Sequence, residues 1–250
     1  MADPNSAYKL FNYYKDHINK SSNEIFDLAS KGSFLEIGPG DSLSLPFIFS
    51  HFGFGECYAI DKEDYSVPLN LYKINFISKL LQRNELRNSK SILNPQDLYN
   101  SIKFITRGSD SFLDIESNSI SLIISNAVFE HIDRIEVDFV FSQMHRLLIP
   151  GGMFLLIIDF KDHLVGDFFN HLLPLKVWES NFIRRGSHYT NRLTIDDFRS
   201  LIVKNKLTIN SIRNEKIKRR SFFNSNDKVS MKSIFNGIDR PSSVLYIGSK

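Results

Sequence analysis

Two glycines and a carboxylate set the chemistry that this chain could do. Gly38 and Gly40 lie in Ser33-Phe-Leu-Glu-Ile-Gly-Pro-Gly-Asp41, and Asp61 closes the apolar run Tyr58-Ala-Ile-Asp61. Glycine brings backbone close to a ligand because no Cβ intervenes. A carboxylate at the tip of the next strand can accept hydrogen bonds from both hydroxyls of a ribose. Delivered to one edge of a parallel sheet, these groups make an adenosine-cofactor site. The site is acidic, with Glu36 in the first strand and Asp41 just beyond the turn. A pyrophosphate favours helix N–H groups without a fixed carboxylate beside them. Leu43 also stands where a dinucleotide fingerprint carries a third small residue. The pattern therefore suits a cationic cofactor and disfavours a nicotinamide dehydrogenase.

Candidate bases are histidines on loops that follow strands. His131 lies in Phe129-Glu-His-Ile132, His163 in Asp159-Phe-Lys-Asp-His163, and His188 in Gly186-Ser-His-Tyr-Thr-Asn-Arg192. Each could instead pack or cap a helix, since histidine is intermediate in burial. His163 ranks first as general base because Asp159 and Asp162 flank it, and a carboxylate partner orients the ring and raises its basicity. His131 ranks second. His188 falls on the acceptor side, with Trp178 and Tyr189, which could stack on a sugar or aryl ring. Arg184 and Arg185 could clamp a phosphate or carboxylate. An ordinary core and a solvated pair are the competing explanations for these four.

The elements that must position these residues alternate between strand and helix, which predicts an α/β fold with a mostly parallel sheet and helices on both faces. Strand candidates cover 33–37, 56–60, 102–106, 119–124 and 153–158, each short and apolar as strands buried on both faces should be. Helical spacing runs through 7–30. Pro150-Gly-Gly152 reads as a turn that stops a helix and launches the fifth strand. Leu207–Ile212 and Ser243–Ile247 could pair as a closing hairpin. Two segments, about 64–101 and 160–200, are longer than a βα unit needs and are expected to form a cap over the carboxyl edge. One domain over 7–250 is expected, with 1–6 set aside as vector residue.

Of the 250 residues 42% are hydrophobic, and the formal net charge is only +3. That field does not argue for nucleic acid, and the basic run Lys216–Arg220 lacks interleaved aromatics. No apolar run is long enough to span a bilayer. The single cysteine, Cys57, sits in an apolar strand as an inert thiol, which suits a reducing cytoplasm.

Four motifs in order resemble the class I S-adenosylmethionine-dependent methyltransferases: Glu36-Ile-Gly-Pro-Gly40, the acid at Asp61, Ser125-Asn-Ala-Val-Phe-Glu-His131 and Leu147-Leu-Ile-Pro-Gly-Gly152. The resemblance implies a seven-stranded Rossmann-like sheet whose last strand inserts antiparallel. It implies that Glu36, Gly38 and Gly40 line the methionine and ribose side and that Asp61 holds the ribose. Ser109 and Asp110, in the loop Gly108-Ser-Asp110, would approach the adenine, and Asn126 would contact the cofactor where strand four ends. The chain departs from the common pattern at Asp41-Ser42 and at the extra serine of that loop. Residues Asp159 to Asp197, including Asn191-Arg-Leu193 and Asp196-Asp-Phe198, resemble a subgroup that modifies sugars, glycans or natural products.

The expected function is methyl transfer from S-adenosyl-L-methionine to a small-molecule hydroxyl, with a histidine base and S-adenosyl-L-homocysteine as product. N-methylation of a small molecule and a cofactor-binding, non-catalytic partner subunit are the alternatives. A nucleic-acid methyltransferase would carry an Asn/Asp-Pro-Pro-Tyr/Phe tetrad where Ser125-Asn-Ala-Val128 stands. A metal-dependent catechol-type enzyme has only Asp159 and its neighbours to draw on, and no metal ligand set is assigned. Neither nucleic acid nor a membrane is an expected partner. A homodimer is left open.

Overall fold

A computed structural model describes residues 4–21, 25–40, 43–63, 78–79, 95–161, 173–184, 186, 189–215 and 243–250. Seven strands form one sheet: β1 (Ser33–Ile37), β2 (Cys57–Ile60), β3 (Ile102–Ile105), β4 (Ile120–Asn126), β5 (Leu148–Asp159), β6 (Thr208–Glu215) and β7 (Ser243–Ser249). Their order is β3-β2-β1-β4-β5-β7-β6. The pairs among β1 to β5 are parallel, and β7 runs antiparallel to both β5 and β6. This is the sheet that the family resemblance implies, and the two late runs do pair.

Successive strand residues point to opposite faces, and here both faces are covered. Phe34, Leu122, Ile124 and Leu155 pack under α1 (Pro4–Lys20), α2 (Ile25–Lys31) and α3 (Ser44–His51). Leu35, Ile37, Ile123 and Leu156 pack under α5 (Val137–Leu147) and α8 (Ile195–Lys204). The short α4 (Pro95–Asn100) leads into β3. Burial on both sides explains why these strands read as unbroken apolar runs without alternation. In α5 the buried side chains Val137, Val140, Phe141 and Met144 fall on one stripe, while Asp138 opens the helix and His145 and Arg146 close it. Cys57 is buried, and burial pushes its thiol up. No described helix is long and apolar enough to cross a membrane.

Three boundaries differ from the sequence reading. The helical spacing of 7–30 resolves into α1 and α2, and α1 begins at Pro4, inside the stretch set aside as vector residue. Proline fits a first helical turn because its missing N–H has no intrahelical partner there. The Pro150-Gly-Gly152 turn lies inside β5 and does not precede it. Ile120 pairs with Leu148 and Leu122 with Met153, so the residues between loop out, with Gly151 at φ +76°. The cap also ends sooner than expected. Thr194 caps α8 by accepting from the Asp197 N–H while Asp197 accepts from the Thr194 N–H, and Phe198 and Ile202 enter the main core. Residues 195–200 therefore belong to the body. The described cap consists of 173–184, with the short helices α6 (Leu175–Trp178) and α7 (Asn181–Arg184), and of 189–193. Of the first expected cap segment, 64–77 and 80–94 lie outside the described residues, as does Lys216–Arg220.

The chain runs outward from β1 to β2 and β3, then returns to β4 on the other side of β1. Ligands of open α/β sheets bind at such a reversal, outside the carboxyl ends of the strands.

Candidate functional site

The glycine turn leaves β1 at this reversal. Gly38 has φ +73°, and a Cβ there would lie 2.2 Å from Val128 Cγ2. Both facts require glycine. Val128 is brought over the turn by Ala127, whose φ of +55° is left-handed and costs about 1–2 kcal/mol for a residue with a Cβ. The Ala127 N–H is held by the Ile157 carbonyl at 2.8 Å. Gly40, at φ +60°, has open space where a Cβ would be. Its N–H donates to Asp61 Oδ2 at 3.1 Å, and Asp61 Oδ1 accepts from the Lys62 N–H at 2.7 Å. The Gly108 N–H donates to the Asp61 carbonyl at 3.2 Å, which draws the third loop to the same edge.

These loops enclose a cleft of about 650 Å³ whose wall includes Gly38, Gly40, Asp61, Ser109, Asp110 and His131. Ser109 Oγ donates to Glu136 Oε2 at 2.7 Å, bridging the loop after β3 to the start of α5. Phe112, also on the wall, is held from behind by Arg146. That guanidinium donates to the Phe112 carbonyl at 2.8 Å, the Ile115 carbonyl at 3.0 Å and Ser117 Oγ at 2.9 Å.

Glu36 and Asn126 end up just off this wall. Asn126 is the last residue of β4 and pairs with Ile157. Glu36 sits in β1 and is 6% exposed, with no hydrogen-bond partner for Oε2. Burial, and then the negative charge of Asp61, push its carboxyl up to about 8. A buried carboxyl with an unpartnered oxygen stays neutral by preference. Charging it calls for a cation nearby.

The acceptor-side candidates divide. His131 lies on the wall, and its Nδ1 is 2.6 Å from the Tyr189 carbonyl. A carbonyl can only accept, so Nδ1 carries the proton and Nε2 is the basic nitrogen of the neutral ring. Arg184 also reaches the wall, but its guanidinium grips Asp133 through both carboxylate oxygens, Nε to Oδ1 at 2.6 Å. Trp178 does not offer a platform to the cleft. It is 0% exposed, its Nε1 donates to the Thr190 carbonyl at 2.6 Å, and its ring stacks on Tyr189 at 6.4 Å. Tyr189 is buried too, with its hydroxyl donating to Glu179 at 2.9 Å. These two rings form the cap's own core. His163, His188 and Arg185 lie outside the described residues.

Sequence reading missed the residues that tie the site together. Val128 stood within the quoted motif Ser125–His131 without a role, and Arg146 carries no local signature. Asn191 was visible only as part of a softer resemblance, without a role.

The cradle fits an adenosine cofactor on its own geometry: an open glycine, an oriented carboxylate beyond it, and a buried acid in want of a cation. Comparison with known proteins agrees. The methyltransferase domain family matches residues 7–204. A comparison with curated proteins returned no match. Among solved structures, the putative methyltransferase of Haloferax volcanii, solved with its Trm112 activator, superposes with a TM-score of 0.51 at 12% identity, covering 88% of this chain and 82% of that one. A geranyl diphosphate methyltransferase in complex with SAM gives 0.50 at 13% identity, covering 90% and 82%. At these identities the likeness speaks for the fold alone, whereas the family match spans most of the sequence. The chain belongs to the methyltransferase domain family, with the class I fold and S-adenosylmethionine as its cofactor.

Proposed function

We propose that this methyltransferase transfers the methyl group to a hydroxyl of a small molecule, with a histidine as general base. Bound S-adenosylmethionine supplies a methyl group already activated by its sulfonium and leaves as S-adenosylhomocysteine. The chain's own residues have four tasks. Asp61 accepts the ribose hydroxyls, and Ser109 and Asp110 line the place of the adenine. Glu36 puts a carboxylate near the cationic end. His131 receives the acceptor's hydroxyl proton at Nε2 as the oxygen becomes a nucleophile. A hydroxyl holds its proton too tightly to attack unaided, and a positioned base is worth about 10²–10⁴-fold.

The observation that carries this reading is the hydrogen bond from His131 Nδ1 to the Tyr189 carbonyl, on the wall of the cofactor cleft. It gives the ring the tautomer that a base needs. His163, ranked first from the sequence and outside the described residues, stays the alternative base, argued from Asp159 and Asp162 alone. A sugar, glycan precursor or natural product is the proposed acceptor class, and the cytoplasm the proposed compartment, on the strength of the buried lone thiol.

The test is an acceptor screen of sugars, nucleotide-sugars, phenols and small amines with wild type, His131→Gln and His163→Gln. Turnover should fall about 10²–10⁴-fold in His131→Gln, with S-adenosylhomocysteine affinity within twofold of wild type. Full turnover in His131→Gln and loss in His163→Gln would move the base to His163. Methylation of amines only would replace the hydroxyl reading.

A further inference from the structure

Residues 189–193 belong to no helix or strand, yet they are stitched to the loop after β4. Asn191 makes most of the stitches. It is 1% exposed. Its N–H donates to the Glu130 carbonyl at 2.7 Å, and Nδ2 donates to the carbonyls of Phe129 at 2.7 Å and Ile132 at 3.0 Å. Its Oδ1 accepts from the Leu193 N–H at 3.1 Å. The two carbonyls can only accept and the N–H can only donate, so the amide has one orientation. Arg192, the next residue, takes a left-handed φ of +56°. A side chain rarely sits there unless its surroundings over-determine it.

The carbonyls that Asn191 grips belong to the residues on either side of His131. The carbonyl that receives the His131 proton belongs to Tyr189, two residues before Asn191. One side chain thus fixes both ends of the bond that sets the tautomer of His131. We infer that Asn191 is a positioning residue for catalysis: it registers residues 189–193 against the loop after β4, so that the Tyr189 carbonyl holds the His131 ring with Nδ1 protonated and Nε2 basic. This rests on the reading of His131 as base, and on the cap's described half being a working part of the acceptor side. A residue that only braced the cap would have no hold on the imidazole's proton.

The experiment is ¹⁵N NMR on the full chain labelled at histidine, with the His131 signals identified by their loss in His131→Gln. Wild type should show Nδ1 protonated and Nε2 unprotonated in the neutral ring. Asn191→Ala should lose that preference and show both tautomers in exchange, with kcat down at least tenfold and S-adenosylhomocysteine affinity within threefold. Asn191→Ser, which keeps the backbone bond to Glu130 and one hydroxyl donor, should fall between. It carries the test should the alanine variant not fold. An unchanged tautomer in either folded variant would overturn the proposal, as would an Nε2-protonated ring in wild type. Collapse of the tautomer together with full turnover by His131→Gln would keep Asn191's hold on the His131 ring but overturn its role in catalysis, because the base reading beneath it would have failed.

Discussion

At the glycine-turn edge, Gly40, Asp61 and Gly108 are joined by bonds between neighbouring strand ends, and most of the partners are backbone groups. At the cap, Tyr189 and Asn191 meet residues 58 to 62 positions away, and the polar atoms of single side chains make the join. The first region is a property of the sheet's topology. The second is a set of individual bonds. Side-chain substitutions should therefore graze the cofactor edge except where a side chain itself faces the ligand, and should dismantle the cap one contact at a time.

Glu36 offers the largest exception on the cofactor side. Its carboxyl is raised when folded, to about 8, from about 4.3 in an unfolded chain. The folded state thus binds the extra proton between those values. Its contribution to stability is fully present below about pH 4.3, is lost as pH rises to about 8, and levels off above. The slope approaches 1.4 kcal/mol per pH unit at most. Melting temperature without cofactor should decline from pH 5 to 8, and Glu36→Gln should flatten the curve. Over the same range wild type should gain preference for cationic S-adenosylmethionine over neutral S-adenosylhomocysteine. A pH-independent preference would mean that Glu36 does not serve the cation.

Asp61→Ala comes next. It strips the Gly40 N–H of its acceptor and, on the proposed ribose contact, leaves ribose hydroxyls unpaired, at about 1–3 kcal/mol, so calorimetry should find S-adenosylhomocysteine binding weakened roughly ten- to hundredfold. Unchanged affinity would break the comparison at its firmer end. The smallest effect is expected at Trp178→Phe, which removes the indole donor from the Thr190 carbonyl in the cap core. Stability should drop by about 1 kcal/mol in a denaturant titration, with acceptor KM unmoved. A raised KM with unchanged stability would restore Trp178 as a stacking platform.

The same division decides what could be read from sequence. Gly38, Gly40 and Asp61 were legible because strand, turn and strand are local events with residue types to match. The apolar strands were legible as runs because both faces are buried. Thr194 and Asp197 form a capping box that marks the start of α8, yet the aromatic richness of the segment pulled residues 195–200 into the expected cap. The loop inside β5 looked like a strand boundary because Pro150-Gly-Gly152 is good turn chemistry wherever it falls. Trp178 has the right chemistry for a sugar platform, and only three-dimensional packing shows its faces and its N–H already engaged. Ala127 in a left-handed conformation, and Asn191 bonded across to Phe129, have no local signature. Their partners are far along the chain.

The reversed strand β7 has a consequence for how the sheet is assembled. It lies between β5 and β6 although it follows β6 in the chain, so among the described strands β6 has no neighbour until Ser243–Ser249 arrive. A nascent chain that has emerged only as far as Glu215 holds β5 with an open edge and β6 with no described strand to join. Such an edge invites pairing with another chain. Closing it needs contacts between distant residues, which form slowly. The interval before β7 docks is thus when this chain is most exposed to aggregation, and a chaperone acting on it would act then.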